Sequence, residues 1–256
     1  MAAKSVLERL RAREKVSAAW VFNNYINSEI FAEAGFDAIV PDMEHAPITI
    51  PGLVNILQGI KGTGCFSMVR APWNDMVILK QILDVGADGV HIPFINTKEE
   101  AEYAVRACKY PPEGVRGIAS SQRATTFSFH RDEYFARANK DLIVMLAIET
   151  PTGVANLEEI VKVPGVDGIF IAPSDLSTSM GYFYNPAAPE VQKTIRHIEE
   201  VALGAGKFIG TIAGSFTAAK PLYDRGYSIV YYMSDNGTLA SAAKAAAKQF
   251  KDAYGA

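Results

Sequence analysis

In the stretch "AIVPDMEHAP" an apolar run gives way to Asp42, Glu44 and His45, so two carboxylates and an imidazole stand where the run stops. An imidazole titrates near neutral pH and is the commonest general base; Asp42, three residues before His45, is placed to orient it. Three more polar side chains close apolar runs of their own: Arg70 after "FSMV", Glu149 after "IVMLAI", and Asp175 in "APSDLS". A guanidinium can grip a substrate carboxylate through two parallel hydrogen bonds, or neutralise developing enolate charge. Glu149 and Asp175 suit a hard divalent cation such as Mg²⁺ or Mn²⁺, which prefers carboxylate and water oxygens. They could equally cap the helices that "ETPTG" and "SDLS" begin. The other three histidines have plainer surroundings: His91 is inside a strand run, His130 in a long loop and His197 on a polar helix face.

Residues so scattered act together only if the fold gathers them. Eight β-rich runs recur along the chain: Ala18–Phe22, Ala38–Asp42, Phe66–Arg70, Gly89–Pro93, Leu142–Glu149, Asp167–Ala172, Phe208–Ala213 and Ser228–Met233. Several are apolar at successive positions, the mark of strands covered on both faces in a parallel sheet. Helical segments alternate with them. Ser5 with Glu8 and Thr97 with Glu100 fit the capping box, and Val154, Leu157, Ile160 and Val161 form an apolar face. Eight strand–helix units in 256 residues predict a single α/β domain over residues 1–256, a (β/α)₈ TIM barrel. In that fold the C-terminal strand ends form the functional face, where the residues above would converge. "RGI" (Arg116–Ile118) belongs to a long loop whose length suggests that it covers a site. The final helix, from Thr238, carries Leu239, Ala243, Ala246 and Phe250 on one face and either closes the barrel or packs on a neighbouring subunit. The loops "IAGS" and "SDNGT" lie where many barrels hold phosphate, although Gly214 and Gly237 could serve only as turn residues.

Composition removes several classes of function. A formal charge of −3 offers no basic footprint for nucleic acid. No apolar run approaches the roughly 20 residues that span a bilayer, and "MAAKSVLERLRAREKV" has charges where a signal peptide keeps its apolar stretch, so the expected location is cytoplasmic. Cys65 and Cys108 are too few and too far apart for a disulfide framework or a thiolate zinc site, and Cys108 reads as a core residue.

The segments "DMEHAP", "VRAP", "YPPEGVRG", "IETPTGVANLEEIVKVPGVDGIFIAPSDLSTSMG" and "NPAAPEVQKTI" resemble the HpcH/HpaI class II pyruvate-dependent aldolases, which include 4-hydroxy-2-oxoheptanedioate and 2-dehydro-3-deoxyglucarate aldolases, over Trp20 to Phe250. The resemblance implies a divalent cation (Mg²⁺ or Mn²⁺, with Co²⁺ a further option) on Glu149 and Asp175, His45 as base and Arg70 stabilising an enolate. It also implies that Asp42 and Asp84 support the histidine, Asp84 across a subunit contact. The backbone at Ser174 and Asp175 matches a pyruvate-carboxylate site. Ala147 stands where the family usually has a glutamine that contacts pyruvate. The implied partners are a 2-oxo acid (pyruvate or oxaloacetate) and an aldehyde, within a homohexamer whose terminal helices are exchanged. Three functions follow from these residues: a lyase of 4-hydroxy-2-oxo acids; a decarboxylase of oxaloacetate or a macrophomate-synthase-like enzyme using the same enolate; and, because of Ala147, a 2-oxo-acid-binding barrel with impaired turnover.

Overall fold

The computed structural model describes residues 4–255; residues 1–3 and 256, at the ends of the predicted domain, lie outside it. Eight parallel strands close into one barrel in sequence order. They are β1 (Val16–Val21), β2 (Ala38–Pro41), β3 (Phe66–Arg70), β4 (Gly89–Ile92), β5 (Ile143–Ile148), β6 (Gly168–Ile171), β7 (Phe208–Ile212) and β8 (Ile229–Ser234). Each lies within two residues of its expected limits. The strands are buried because helices cover their outer side and their own side chains fill the lumen, so an unbroken apolar run satisfies both faces at once.

Register fixes what fills the lumen. Trp20 pairs with Val40, Arg70 with His91, Ala147 with Phe170 and Ile212 with Tyr231. In a tilted barrel these pairs resolve into two stacked tiers of four, one from the odd strands (Trp20, Arg70, Ala147, Ile212) and one beneath it from the even strands (Val40, His91, Phe170, Tyr231). Ring contacts confirm the lower tier, with His91 4.3 Å from Phe170 and Phe170 5.0 Å from Tyr231 between centroids. Further down, Gly168 leaves room for Phe208, whose ring would lie 2.3 Å from a Cβ placed there.

Both His91 nitrogens and the Tyr231 hydroxyl are buried in this tier without a hydrogen-bond partner. Burial, and then the charge of Arg70, push the His91 imidazole well below its ordinary range, so it is neutral. A buried hydroxyl without a partner costs free energy. Tyr231→Phe is therefore expected to raise the melting temperature, by about 2 °C, in a thermal scan. A fall instead would mean that the hydroxyl has a partner.

The N-terminal end of the barrel is tied by a repeated device. Asp37, just before β2, accepts from the Ser17 amide at 2.8 Å; Asp88, before β4, from the Ser67 amide at 2.9 Å; and Asp167, before β6, from the Val144 amide at 2.9 Å. Each carboxylate thus joins an odd strand to the even strand after it. Burial raises Asp88 above its usual range, whereas Asp37, which also holds Arg9, lies below it despite burial.

Several local expectations change. Ser5 and Glu8 form the full capping box, but Glu100 reaches past Thr97 to accept from the Asn96 amide at 2.7 Å. The apolar face around Val154 belongs to two short helices, Pro151–Ala155 and Leu157–Ile160, which meet at Asn156, whose side chain is drawn to the Asn96 carbonyl at 2.8 Å. Residues 116–118 form no strand, as expected. The loop around them does not cover the functional end, however. It joins a helix end to the next strand and so lies at the N-terminal end, where Arg123 donates to the Val85 and Leu57 carbonyls. The last helix, Asp235–Tyr254, is exposed from residue 236 onward and does not close the barrel within the chain. Cys108 is buried in the core, as predicted. Among the described residues no helix is long and apolar enough to cross a membrane.

Candidate active site

The C-terminal strand ends bring Asp42, Glu44, His45, Arg70, Glu149 and Asp175 together. Arg70 is the centre of the group. It leaves β3 pointing inward, its guanidinium 4.4 Å above the Trp20 ring, and pairs with Asp42 through Nε at 2.9 Å and Nη2 at 2.6 Å. Its remaining arm, Nη1, lies 3.0 Å from Glu44 Oε2 in an ion pair that lacks hydrogen-bond alignment. The planar fork suits a bidentate carboxylate, and stacking on Trp20 fixes its plane.

Asp42 has different partners from those expected. It is fully buried, and beyond Arg70 it accepts from the Glu44 and His45 backbone amides at 3.0 and 3.3 Å. It therefore shapes the turn that carries His45 without meeting the ring. The side chain beside the imidazole is Glu44, with Oε2 3.7 Å from Nε2, while His45 itself is 62% exposed. Sequence reasoning gave Glu44 no role. Only its adjacency to His45 hinted at one, because nothing in the spacing shows that it also reaches Arg70. Burial raises Glu44 above the ordinary carboxylate range, against the charges of Arg70 and His45.

The capping alternative for the two other acids fails. Thr150, not Glu149, caps the helix that follows, its hydroxyl accepting from the Gly153 amide at 3.0 Å. Asp175 lies inside the first turn of the seven-residue helix Pro173–Ser179, which has no side-chain cap. The hydroxyls of Ser215 and Ser234 cap the helices after β7 and β8; Gly214 lies in the bend before the first, and Gly237 is in the opening turn of the second, where its amide donates to Ser234 Oγ at 3.1 Å. Glu149 is 6% exposed, and Asp175 is on the solvent side. Burial, then the charges of Asp175 and Glu44, push the Glu149 carboxyl up to about 8, against Arg70 and the Phe94 amide. Arg70 makes its ion pairs with Asp42 and Glu44, and neither Glu149 nor Asp175 is paired with it.

Among the described residues no group of three or more His, Cys, Asp or Glu side chains forms a complete metal cage. A two-carboxylate oxygen set with open positions remains, which fits a hard divalent cation and leaves room for a chelating substrate. In chelator-treated protein the raised Glu149 contributes stability below its ordinary value of 4.5 that is lost as pH climbs to about 8. The melting temperature should accordingly fall between pH 5 and 8 more steeply than in Glu149→Gln, and equal slopes would show that Glu149 is not held protonated.

Asp84 does not join this group within the chain. It ends the helix Met76–Asp84 at the opposite end of the barrel, where it accepts from Arg116 Nη2 at 2.6 Å. Ala147 is fully buried in the tier of Arg70, two positions below Glu149 on the same inward face, and presents only a methyl group. His91 is in the lumen, and His130 and His197 are on the surface.

The closed barrel and its acidic, arginine-centred mouth define a (β/α)₈-barrel enzyme. A family model described as HpcH/HpaI aldolase/citrate lyase matches residues 20–242, and the chain belongs to that family, as a carbon–carbon lyase. It is 41% identical over 243 residues to 5-keto-4-deoxy-D-glucarate aldolase of Escherichia coli O157:H7, covering 94% of each chain. Its fold is similar to that of a HpcH/HpaI aldolase/citrate lyase family protein from Burkholderia cenocepacia J2315, at TM-score 0.91 and 31% identity over 96% of this chain and 98% of that one. It is also similar to macrophomate synthase, at TM-score 0.81 and 25% identity over 96% of this chain and 90% of that one.

Proposed function

We propose that this chain is a divalent-cation-dependent aldolase that cleaves or forms 4-hydroxy-2-oxo acids, with pyruvate as the 2-oxo-acid partner and an aldehyde as the other. The observation that carries this reading is the pair Glu149 and Asp175 set beside Arg70 without an ion pair to it. A cation held by Glu149 and Asp175 would supply positive charge to stabilise an enolate oxygen. The remaining work falls to the chain. In the cleavage direction His45 takes the proton of the C4 hydroxyl; the C3–C4 bond breaks, leaving an aldehyde, and the electron pair moves toward the C2 oxygen, which Arg70 faces. The same imidazole returns its proton to C3, giving pyruvate. The uncapped first turn at Pro173 leaves the Ser174 and Asp175 amides available to the substrate carboxylate.

Similarity to macrophomate synthase supports a second reading, in which loss of CO₂ from oxaloacetate reaches the same enolate. The exposed terminal helix supports a homo-oligomer, a hexamer by resemblance, in which a neighbour's Asp84 could approach His45. We place the enzyme in the cytoplasm.

Protein loaded with Mg²⁺ or Mn²⁺ is expected to release pyruvate from 5-keto-4-deoxy-D-glucarate or a related 4-hydroxy-2-oxo acid, read by coupled reduction of pyruvate. Chelation should abolish the release. Neither release from a panel of such acids nor exchange of pyruvate methyl protons would overturn the reading, while faster oxaloacetate consumption would favour the second.

A further inference from the structure

Glu44 stands between the two side chains that the proposed reaction uses, and it is hydrogen-bonded to neither. Its Oε2 lies 3.0 Å from Arg70 Nη1 and 3.7 Å from His45 Nε2; the atom is buried, and no group among the described residues donates a hydrogen bond to it. A buried acceptor left unpaired costs free energy that a well-aligned donor would recover. The imidazole N–H is such a donor, since closing the gap by about 1 Å brings Nε2 to hydrogen-bond distance.

Arg70 can release Glu44 without losing its own place. Asp42 holds Nε at 2.9 Å and Nη2 at 2.6 Å, and the guanidinium stays 4.4 Å above the Trp20 ring whether or not Nη1 is engaged. The 3.0 Å contact at Nη1 is misaligned, so the hydrogens of that arm point away from Glu44 and toward whatever oxygen is offered to them. A substrate oxygen that gains negative charge there competes with Glu44 for one cation and repels it. The turn that carries Glu44 and His45 meanwhile keeps its shape, because Asp42 accepts from both backbone amides, at 3.0 and 3.3 Å.

Resting on the aldolase reading, we infer that Glu44 is the positioning residue of the base: the 2-oxo-acid oxygen takes Arg70 Nη1, and Glu44 Oε2 turns to accept from His45 Nε2. Nδ1 is then the nitrogen that takes a proton from C3, while the electron pair moves to the C2 oxygen, and that returns a solvent-derived proton to C3. Arrival of the substrate thus sets the base in place.

The test uses the full-length, Mn²⁺-loaded protein in D₂O, with loss of the pyruvate methyl signal followed by proton NMR over a range of pyruvate concentrations. Glu44→Ala should lower the saturated exchange rate about a hundredfold, and Glu44→Gln, which keeps an acceptor oxygen, about tenfold. The half-saturating pyruvate concentration should stay level or fall in both, because a competitor for Nη1 has gone. A residue that merely held Arg70 or the turn in shape would raise it instead. An unchanged rate, a half-saturating concentration that rises as the rate falls, or equal losses in the two variants would overturn the inference. So would a rate lost in Asp84→Asn but kept in Glu44→Gln, which would give the imidazole to a carboxylate of another subunit. Should Glu44→Ala not fold, the rate and half-saturation of the near-isosteric Glu44→Gln decide. Absence of exchange in the unmodified protein would overturn the aldolase reading and the inference with it.

Discussion

Glu149→Gln is expected to slow pyruvate methyl-proton exchange by about three orders of magnitude while the protein stays folded. The substitution is close to isosteric. It removes the charge that would hold a cation in the mouth, and it replaces a carboxyl that burial and two neighbouring acids already hold at about 8. The chelator-treated variant should be as stable as the parent near neutral pH, or more so, because no buried carboxylate has to ionise there. Exchange rates by proton NMR and melting curves on one preparation separate the two effects. Near-parental exchange would show that Glu149 does not hold the cation.

Arg70→Leu is expected to cost both activity and stability. Asp42 is fully buried and meets two of the Arg70 nitrogens, so removing the guanidinium strands a carboxylate in the interior, a loss of about 3–5 kcal/mol in urea denaturation. Exchange should fall by roughly two to three orders of magnitude, since the charge that the proposed mechanism sets against the C2 oxygen is lost and the turn bearing His45 loosens with Asp42. Arg70→Lys keeps the charge but not the planar fork that engages Asp42 and stacks on Trp20, so it should recover some stability and little exchange. An Arg70→Leu variant as stable as the parent would show that the Asp42 pair contributes nothing net.

The barrel was legible because eight buried parallel strands impose runs that no surface pattern imitates. The mouth was legible for the same reason, since a charged residue that ends such a run stands out, as Arg70 and Glu149 do. What depends on side-chain reach was not. Asp42 and Glu44 are the same kind of residue two positions apart, yet the first is fully buried on two Arg70 nitrogens and the backbone, while the second lies between the third Arg70 nitrogen and the imidazole. The loop around Arg123 has the length of a lid, but length does not tell which end of a barrel a connection closes, whereas its place after a helix does. Asn156 interrupts a continuous helical period through a single side-chain bond to a distant carbonyl, which periodicity does not register.

Asp37, Asp88 and Asp167 give this molecule a second use for the residue type that its mouth depends on. At the foot, aspartate is mortar between neighbouring staves; at the rim, Asp42 is locked onto Arg70 while Asp175 stands in solvent. The two populations are separated by the whole height of the lumen, so a substitution at the rim leaves the masonry below untouched.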